Sequence, residues 1–85
     1  MPAKSLFISK KADKSISKLP LRIQNKIDNA FGKIKSNPIS GYKLTGELSN
    51  LYKFRLGDYR IIYQFESVKS QVTILKVEHR QGVYK

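Results

Sequence analysis

The sequence predicts an α+β domain in which two N-terminal helices pack on one face of an antiparallel-rich sheet. Two observations lead to this prediction. Apolar residues recur at helical spacing as far as residue 34, whereas from residue 51 onward they alternate at the spacing of β-strands. The segment between these halves is rich in glycine, serine and asparagine, and the sequence has no internal repeat. We therefore expect a single domain, residues 1–85, with the element order β-α-α-β-β-β.

The first half is expected to contain one strand and two helices. Ser5–Ser9 is short, apolar and bounded by lysines, which is typical of a strand. Ala12, Ile16 and Leu19 then recur at i, i+4 and i+7 and predict the first helix. Pro20 ends this helix and suits the start of the next, because its missing N–H needs no partner there. The apolar stripe of the second helix consists of Ile23, Ile27, Ala30, Phe31 and Ile34.

The second half is expected to form a three-stranded antiparallel meander after a loop at Ile39–Asn50. Apolar and polar residues alternate in Leu51–Leu56 and Tyr59–Glu66, and Gln71–Val77 is rich in β-branched residues. Helices covering one face of such a sheet leave its other face open. The predicted core contains Phe7, Ile16, Ile23, Ile27, Phe31, Ile34, Phe54, Ile61, Tyr63 and Leu75.

The composition excludes several classes of function. Without cysteine the chain has no disulfides, no cysteine zinc site and no thiol nucleophile. One histidine and six scattered carboxylates argue against a metal centre, so we expect no metal and no cofactor. The apolar segments are too short to cross a membrane, and no signal peptide is recognisable, so a cytoplasmic protein is expected.

The chain is strongly basic, with 17 Lys and Arg residues against 6 Asp and Glu and a net charge of +11. This balance favours an anionic partner, either a nucleic acid or an acidic protein, although charge of this kind can also serve solubility. On the second helix, Arg22, Lys26 and Lys33 share one face. This stripe is either a solvated surface or a contact with a phosphate backbone, as in RNA or the ribosome.

A turn in the meander brings two arginines together. Gly57-Asp58 fits a two-residue type II′ hairpin, which places Arg55 opposite Arg60 and puts Lys53 two residues along on the same face. Like charges directly opposite each other destabilise a sheet by up to roughly 1 kcal/mol. The pair is explained if an anion lies between the guanidinium groups, which bind phosphate oxygens bidentately.

The faces of the last strand admit two assignments. One buries Thr73, Leu75 and Val77. The other buries Val72 and Ile74, but it also buries two charged side chains, which is costly when they are unpaired. We therefore prefer the first assignment. It requires an odd loop or an intervening β-bulge.

The preferred assignment puts Lys76 and Arg80 on the open face, beside the arginine pair. A simple four-residue loop would instead bring His79 to that face, and in either case residues 79–80 reach the same end of the sheet. Tyr84 follows shortly after, where it could stack on a base, supply a proton or pack on the core.

This collection of side chains suits metal-independent cleavage of RNA. The 2′-hydroxyl attacks the adjacent phosphate, a base takes its proton, cations stabilise the transition state, and an acid protonates the leaving oxygen. Histidine is the residue type whose unperturbed pKa lies near neutrality, so His79 is one candidate for the base, and a lysine is the other. Alternatively, His79 is a strand-end residue with no role.

The runs LTGELSNLYKFRLGDYRIIYQFE (44–66) and VEHRQGVYK (77–85) closely resemble the RelE/ParE toxin superfamily, and within it the RelE-type mRNA interferases. The resemblance implies a RelE-like fold and a toxin of a type II toxin–antitoxin system. Such a toxin enters the ribosomal A site and cuts mRNA there. An acidic, RelB-like cognate antitoxin neutralises it in a hetero-oligomeric complex. The family's catalytic positions correspond to Lys53, Arg55, Arg60, Arg80 and Tyr84.

The sequence departs from the RelE pattern at two places. The stretch between Arg80 and Tyr84 is shorter than in the RelE-type ending, and His79 stands where other members carry a lysine. Two other functions therefore stay open. One is a ParE-like poison of DNA gyrase, and the other is a basic RNA-binding module without catalysis.

Overall fold

The computed structural model describes residues 2–44 and 50–79. Its strands form one five-stranded sheet with the order β1-β5-β4-β3-β2, in which β1 is parallel to β5 and the other pairs are antiparallel. The predicted α+β class and antiparallel-rich sheet are confirmed. The elements are β1 (Ser5–Ile8), α1 (Lys10–Ser17), α2 (Leu21–Ser36), β2 (Tyr42–Lys43), β3 (Leu51–Leu56), β4 (Tyr59–Glu66) and β5 (Gln71–His79).

The strand β2 was not expected, because it lies inside the segment predicted as a loop. It is only two residues long, too short to show the alternation that identifies a strand, and it pairs with β3 at the edge of the sheet. The prediction of an uninterrupted loop at Ile39–Asn50 is therefore wrong in its first part. Residues 45–49 of that segment lie outside the described residues.

Tyr63 holds the segment before β2 against the sheet. Its buried hydroxyl donates to the Pro38 carbonyl (2.7 Å) and accepts from the Gly41 amide (3.2 Å). Burial raises the pKa of the Tyr63 phenol, so the hydroxyl keeps its proton and acts as a donor at neutral pH. A Cβ at Gly41 would lie 2.7 Å from the Lys53 carbonyl oxygen, so only glycine permits this close approach.

The second helix begins directly after Pro20, as the sequence predicts. The Ser9 side chain caps α1 by accepting from the Ala12 amide, and Pro20 immediately precedes α2. Basic residues occupy the last turn of α2, where they complement the helix dipole. None of the described helices is long and apolar enough to cross a membrane.

The helices and one face of the sheet share a single core. Of the ten predicted core residues, six are buried, and Ile23 and Phe54 are partly buried against them. Phe7 is wrongly predicted: it is 54% exposed, because it pairs with Thr73 on the face that the helices do not cover. The confirmed buried residues are Ile16, Ile27, Phe31, Ile34, Ile61 and Tyr63.

A β-bulge in β5 corrects the predicted faces of this strand. Ile62 is paired with Lys76, but the next residue, Tyr63, is paired with Ile74, so Leu75 is an extra residue. The bulge shifts the alternation between the two halves of the strand. The sequence predicted either an odd loop or a bulge, and the structure has the bulge, within β5.

The bulge changes which residues of β5 reach the core. Val72 and Ile74 are buried before it and Val77 is buried after it. The predicted burial of Val77 is therefore confirmed, whereas that of Thr73 and Leu75 is wrong. The preferred assignment took Thr73, Leu75 and Val77 as alternating without a break, whereas the bulge lies between Ile74 and Lys76.

Ser9 supports the bulge as well as the helix. Its hydroxyl donates to the Leu75 carbonyl (2.8 Å), its amide donates to the Ile74 carbonyl (2.9 Å), and its oxygen accepts from Ala12 (3.1 Å). A bulge leaves backbone groups without their usual partners in the ladder. Here a side chain from the neighbouring connection supplies one of the missing bonds.

We expect Ser9→Ala to lower the free energy of unfolding by about 1–3 kcal/mol, because it removes a helix cap and a partner of the Leu75 carbonyl. Ser17→Ala is the matched control, since the Ser17 hydroxyl only donates to an exposed carbonyl within α1. Urea denaturation of both variants measures the difference. Equal stability of the two variants would show that Ser9 does not secure the bulge.

Candidate anion-binding site

The β3–β4 hairpin sets the geometry of the site. Gly57 has a φ of +58° and Asp58 does not have a positive φ, as a type II′ turn requires. Leu56 is opposite Tyr59, and Arg55 is opposite Arg60. The predicted register of the hairpin is confirmed.

Six side chains form a grid on the open face, which we call the platform. One row runs across β3, β4 and β5, and the next row lies two residues further from the turn. Neighbouring strands are about 4.8 Å apart, so a phosphate group can contact two adjacent members of a row. The first row is Arg55, Arg60 and Glu78, and the second row is Lys53, Ile62 and Lys76.

Arg60, at the centre of the first row, has unused hydrogen-bonding capacity. Its Nη2 lies 3.9 Å from Glu78 Oε1, which is an ion pair but too long for a hydrogen bond. Its Nε is buried and has no hydrogen-bond partner among the described residues. A buried donor without an acceptor costs free energy, and a bidentate oxyanion would satisfy it together with Nη2.

Arg55 adds a second guanidinium beside the first. Its side chain is exposed, and within residues 2–44 and 50–79 no carboxylate forms an ion pair with it. The positive charge of Arg55 is therefore available to a ligand. Two neighbouring guanidinium groups of this kind attract phosphate more strongly than either does alone.

Glu78 is the platform residue that the sequence interpretation missed. Its carboxylate is 3.9 Å from Arg60 and 3.6 Å from Lys76, and its side chain is about one-third exposed. Lys76 lies on the open face, as predicted. The same alternation that put Lys76 and Arg80 on this face could have placed Glu78 between them.

His79 is not brought to the platform. It is opposite Tyr59, which packs against the core, and the two rings meet edge to face with centroids 4.8 Å apart. The bulge gives this end of β5 the alternation in which Val77 and His79 share the helix-covered face. Arg80 and Tyr84, the other two predicted site residues near the chain end, lie outside the described residues.

The basic stripe of α2 is also separate from the platform. Arg22, Lys26 and Lys33 are exposed, whereas the opposite side of α2 packs into the core beneath the sheet. The sheet therefore stands between the stripe and the platform. Lys26 comes nearest to the hairpin turn, where it lines a cleft of about 200 Å³ with Ile23, Leu56, Gly57, Asp58 and Tyr59.

Comparison with known protein families identifies the chain. The family model for the ParE toxin of type II toxin–antitoxin systems (parDE) matches residues 6–84. The chain belongs to this toxin family. The predicted resemblance to the RelE/ParE superfamily is thus confirmed, and it extends over almost the whole sequence.

Several similar proteins in this superfamily carry RelE or RelG names. Toxin RelG of Mycobacterium tuberculosis is 34% identical over 76 residues, covering 87% of each chain. The toxin–antitoxin complex RelBE2 of Mycobacterium tuberculosis contains a chain with a TM-score of 0.81 and 32% identity, covering 94% of this chain and 93% of that one. The archaeal RelE–RelB complex of Pyrococcus horikoshii gives a TM-score of 0.76 and 28% identity, covering 94% and 97%. The chain is a type II toxin with the RelE fold.

We expect Arg55→Glu to raise the free energy of unfolding by up to about 1 kcal/mol, because it replaces a like-charge pair across the strands with an opposite-charge pair. We expect polyphosphate to stabilise the wild-type protein thermally and the same change to remove this stabilisation. Thermal denaturation with and without polyphosphate measures both effects.

The matched control for Arg55→Glu is Lys14→Glu, which makes the same charge change on the exposed surface of α1. Polyphosphate should still stabilise this control. If both variants lost the effect equally, net charge rather than the platform would account for anion binding.

Proposed function

We propose that this toxin is an endoribonuclease that cleaves mRNA in the ribosomal A site without a metal ion. The observation that carries the proposal is the pair of adjacent guanidinium groups, of which Arg60 retains an unpartnered buried Nε. The RelE names of its relatives and the superposition on RelE chains support the same activity. The platform would bind the phosphate at which the mRNA is cut.

The proposed reaction uses a nucleophile that the RNA itself provides. The 2′-oxygen loses its proton and bonds to the adjacent phosphorus, the bond from phosphorus to the 5′-oxygen breaks, and the 5′-oxygen is protonated. The products are a 2′,3′-cyclic phosphate and a 5′-hydroxyl. Because no water has to be activated, the reaction needs stabilised charge and correct geometry more than it needs a metal.

The roles of the residues follow from their positions in the platform. Arg55 and Arg60 would contact the non-bridging phosphate oxygens, where negative charge grows in the transition state. Lys53, in the second row, would add positive charge beside the substrate. By resemblance we propose Arg80 as a third phosphate contact and Tyr84 as a base-stacking group or proton donor.

His79 is left out of the proposed reaction, because its ring packs on the helix-covered side of the sheet. Lys76, Arg22, Lys26 and Lys33 are proposed as contacts with ribosomal RNA or mRNA. Those on α2 lie on the other side of the sheet, which would let the ribosome surround the small domain.

Dependence on the ribosome follows from how little acid–base machinery the platform contains. Positioning a reactive group correctly supplies as much as roughly 7–11 kcal/mol of an activation barrier. A ribosome that holds the codon with its 2′-hydroxyl in line with the leaving oxygen would provide this contribution. Free RNA should therefore be cut far more slowly than a codon in the A site.

We also propose an acidic antitoxin as the partner that silences the toxin. The relatives include toxin–antitoxin complexes, RelBE2 and RelE–RelB, and this chain carries a charge of +11. A partly disordered acidic chain could fold over the domain and cover the platform. Opposite charges would accelerate its association.

A gyrase poison is the second candidate function, because the matching family model is that of a ParE toxin. One experiment separates the nuclease, the gyrase poison and the non-catalytic RNA-binding module. mRNA is translated in a purified system with the toxin added, and primer extension locates any breaks. Breaks within A-site codons support the nuclease, whereas intact mRNA together with trapped gyrase–DNA complexes supports the poison. Intact mRNA with RNA binding alone supports the non-catalytic module.

We expect Arg60→Ala to abolish mRNA cutting and growth arrest without lowering the free energy of unfolding by more than about 1 kcal/mol. The arginine lies on the open face, and its loss also relieves the repulsion from Arg55. Arg60→Lys should be nearly as defective, because a lysine cannot make the bidentate contact. Arg80→Ala and Arg80→Lys are expected to behave in the same way.

Lys14→Ala is the control for these variants, since it removes one exposed positive charge far from the platform. It should cut mRNA at the wild-type rate. A folded Arg60→Ala variant that stayed fully toxic would contradict the assignment of the platform as the active face.

We expect the association rate of toxin and antitoxin to fall at least tenfold between 50 and 500 mM salt, because screening weakens the steering by opposite charges. Stopped-flow binding measures the rate. A rate that did not change with salt would show that the charge of the toxin does not guide its partner.

A further inference from the structure

We propose that Glu78 is the base that accepts the proton of the attacking 2′-hydroxyl. This inference rests on the proposed nuclease activity and assigns to it a residue that the sequence interpretation had not placed in the site. It starts from the position of a lone carboxylate inside a cluster of cations. Glu78 lies next to Arg60 in the first row of the platform, with Lys76 on its other side.

The chemistry of the platform favours a carboxylate for this step. At neutral pH lysine and arginine side chains carry their protons and donate, whereas a glutamate is ionised and accepts. The remaining platform residue, Ile62, cannot transfer protons. Among the described residues of the platform, Glu78 is thus the side chain that is ready to take a proton without first losing one.

The geometry places Glu78 at a suitable distance from the bound phosphate. The Arg60 guanidinium, which would hold the phosphate oxygens, is 3.9 Å from the Glu78 carboxylate. The attacking 2′-hydroxyl is on the ribose whose 3′-oxygen carries the scissile phosphate. It therefore lies within a few ångströms of the phosphate oxygens. A carboxylate beside the phosphate-binding guanidinium can therefore reach this hydroxyl, while Arg55 lies on the far side of Arg60.

The surroundings keep the Glu78 side chain adaptable. Both of its ion-pair distances, 3.9 and 3.6 Å, exceed hydrogen-bond length, and about one-third of the side chain is exposed. A carboxylate held by short bonds to both cations would have less freedom to reorient toward the hydroxyl. Here binding of phosphate to Arg60 would leave the carboxylate free to turn toward the hydroxyl.

The proposed step conserves atoms and charge. Glu78 takes the proton as the bond between the 2′-oxygen and phosphorus forms, and it becomes a neutral carboxylic acid. The 5′-oxygen leaves with a proton from another donor. Glu78 returns its proton to water after the product departs, so no further reactant is needed.

The test compares Glu78→Gln with Glu66→Gln. Glu66 lies on β4, and among the described residues it forms an ion pair with Lys69 (3.8 Å) at the other end of the sheet, so the control makes the same chemical change outside the platform. Programmed ribosomes in excess give the single-turnover cutting rate, and titration of ribosomes gives the affinity. Thermal denaturation confirms that each variant folds.

We expect Glu78→Gln to slow cutting by at least 100-fold, within the range that general-base catalysis supplies. Its ribosome affinity should equal or exceed that of the wild type, because a negative charge beside two cations has been removed. Glu66→Gln should match the wild type in both measurements. A Glu78→Gln variant that cuts as fast as the wild type, or faster, overturns the inference and shows that the carboxylate only offsets the neighbouring charges.

A second substrate distinguishes a base from an acid. If sulfur replaces the leaving 5′-oxygen, the leaving group no longer needs a proton, so a variant that lacks the acid recovers its rate. Glu78→Gln should remain at least 100-fold slower than the wild type on this substrate. Recovery of its rate would overturn the assignment of Glu78 as the base.

Two further results keep the inference separate from the proposed function. If Glu78→Gln fails to fold, Glu78→Asp is measured instead. Its shortened side chain should slow cutting at least tenfold, and a wild-type rate would overturn the inference. Absence of cutting by the wild type on ribosomes would refute the nuclease itself, whereas normal cutting by Glu78→Gln refutes only the role of Glu78.

Discussion

Leu75 interrupts the alternation of β5, and the site depends on this interruption. If Leu75 instead occupied a regular position in the ladder, the face that buries Val72 and Ile74 would continue to Lys76 and Glu78, and two charges would enter the core. The bulge lets the first half of the strand and Val77 contribute apolar side chains to the same core. The charged residues between and after them consequently reach the open face. The bond from the Ser9 hydroxyl to the Leu75 carbonyl satisfies a group that the ladder leaves unpaired.

The hairpin turn supplies the second constraint, and here function and stability oppose each other. The two-residue turn at Gly57–Asp58 forces Arg55 and Arg60 to face each other, and the buried Nε of Arg60 lacks a partner. The combined cost is on the order of 1–3 kcal/mol, a substantial part of the 5–15 kcal/mol by which domains are typically stable. The core on the other face, which includes the fully buried Tyr63 and Ile61, has to offset it. A bound phosphate would turn the same arrangement into a favourable one.

Much of the fold could be predicted because local patterns agree with the global architecture. The apolar stripe of α2 and the alternation in β3 and β4 set element type, order and register without reference to the rest of the chain. The errors arose where a pattern was short or broken. Two residues are too few to reveal β2, and one inserted residue in β5 reversed the faces predicted for Thr73 and Leu75. Phe7 was assigned to the core on hydrophobicity alone, although its strand pairs at the sheet edge and turns that ring outward.

The candidate site was predictable to the extent that the hairpin determines it. Arg55, Arg60 and Lys53 follow from the turn, whereas His79 and Glu78 depend on the bulge.

The positions of His79 and Glu78 decide which side chain of β5 could accept a proton on the platform face. A histidine is the usual choice for acid–base work near neutral pH, and the sequence contains just one. The register that turns Val77 into the core carries His79 with it and brings the residue between them, Glu78, to the cations. The packing of Val77 into the core therefore decides whether the His79 imidazole or the Glu78 carboxylate lies on the platform face. Any proton acceptor supplied to the platform by this part of β5 must therefore be the carboxylate, and its cationic neighbours keep that charge from being isolated.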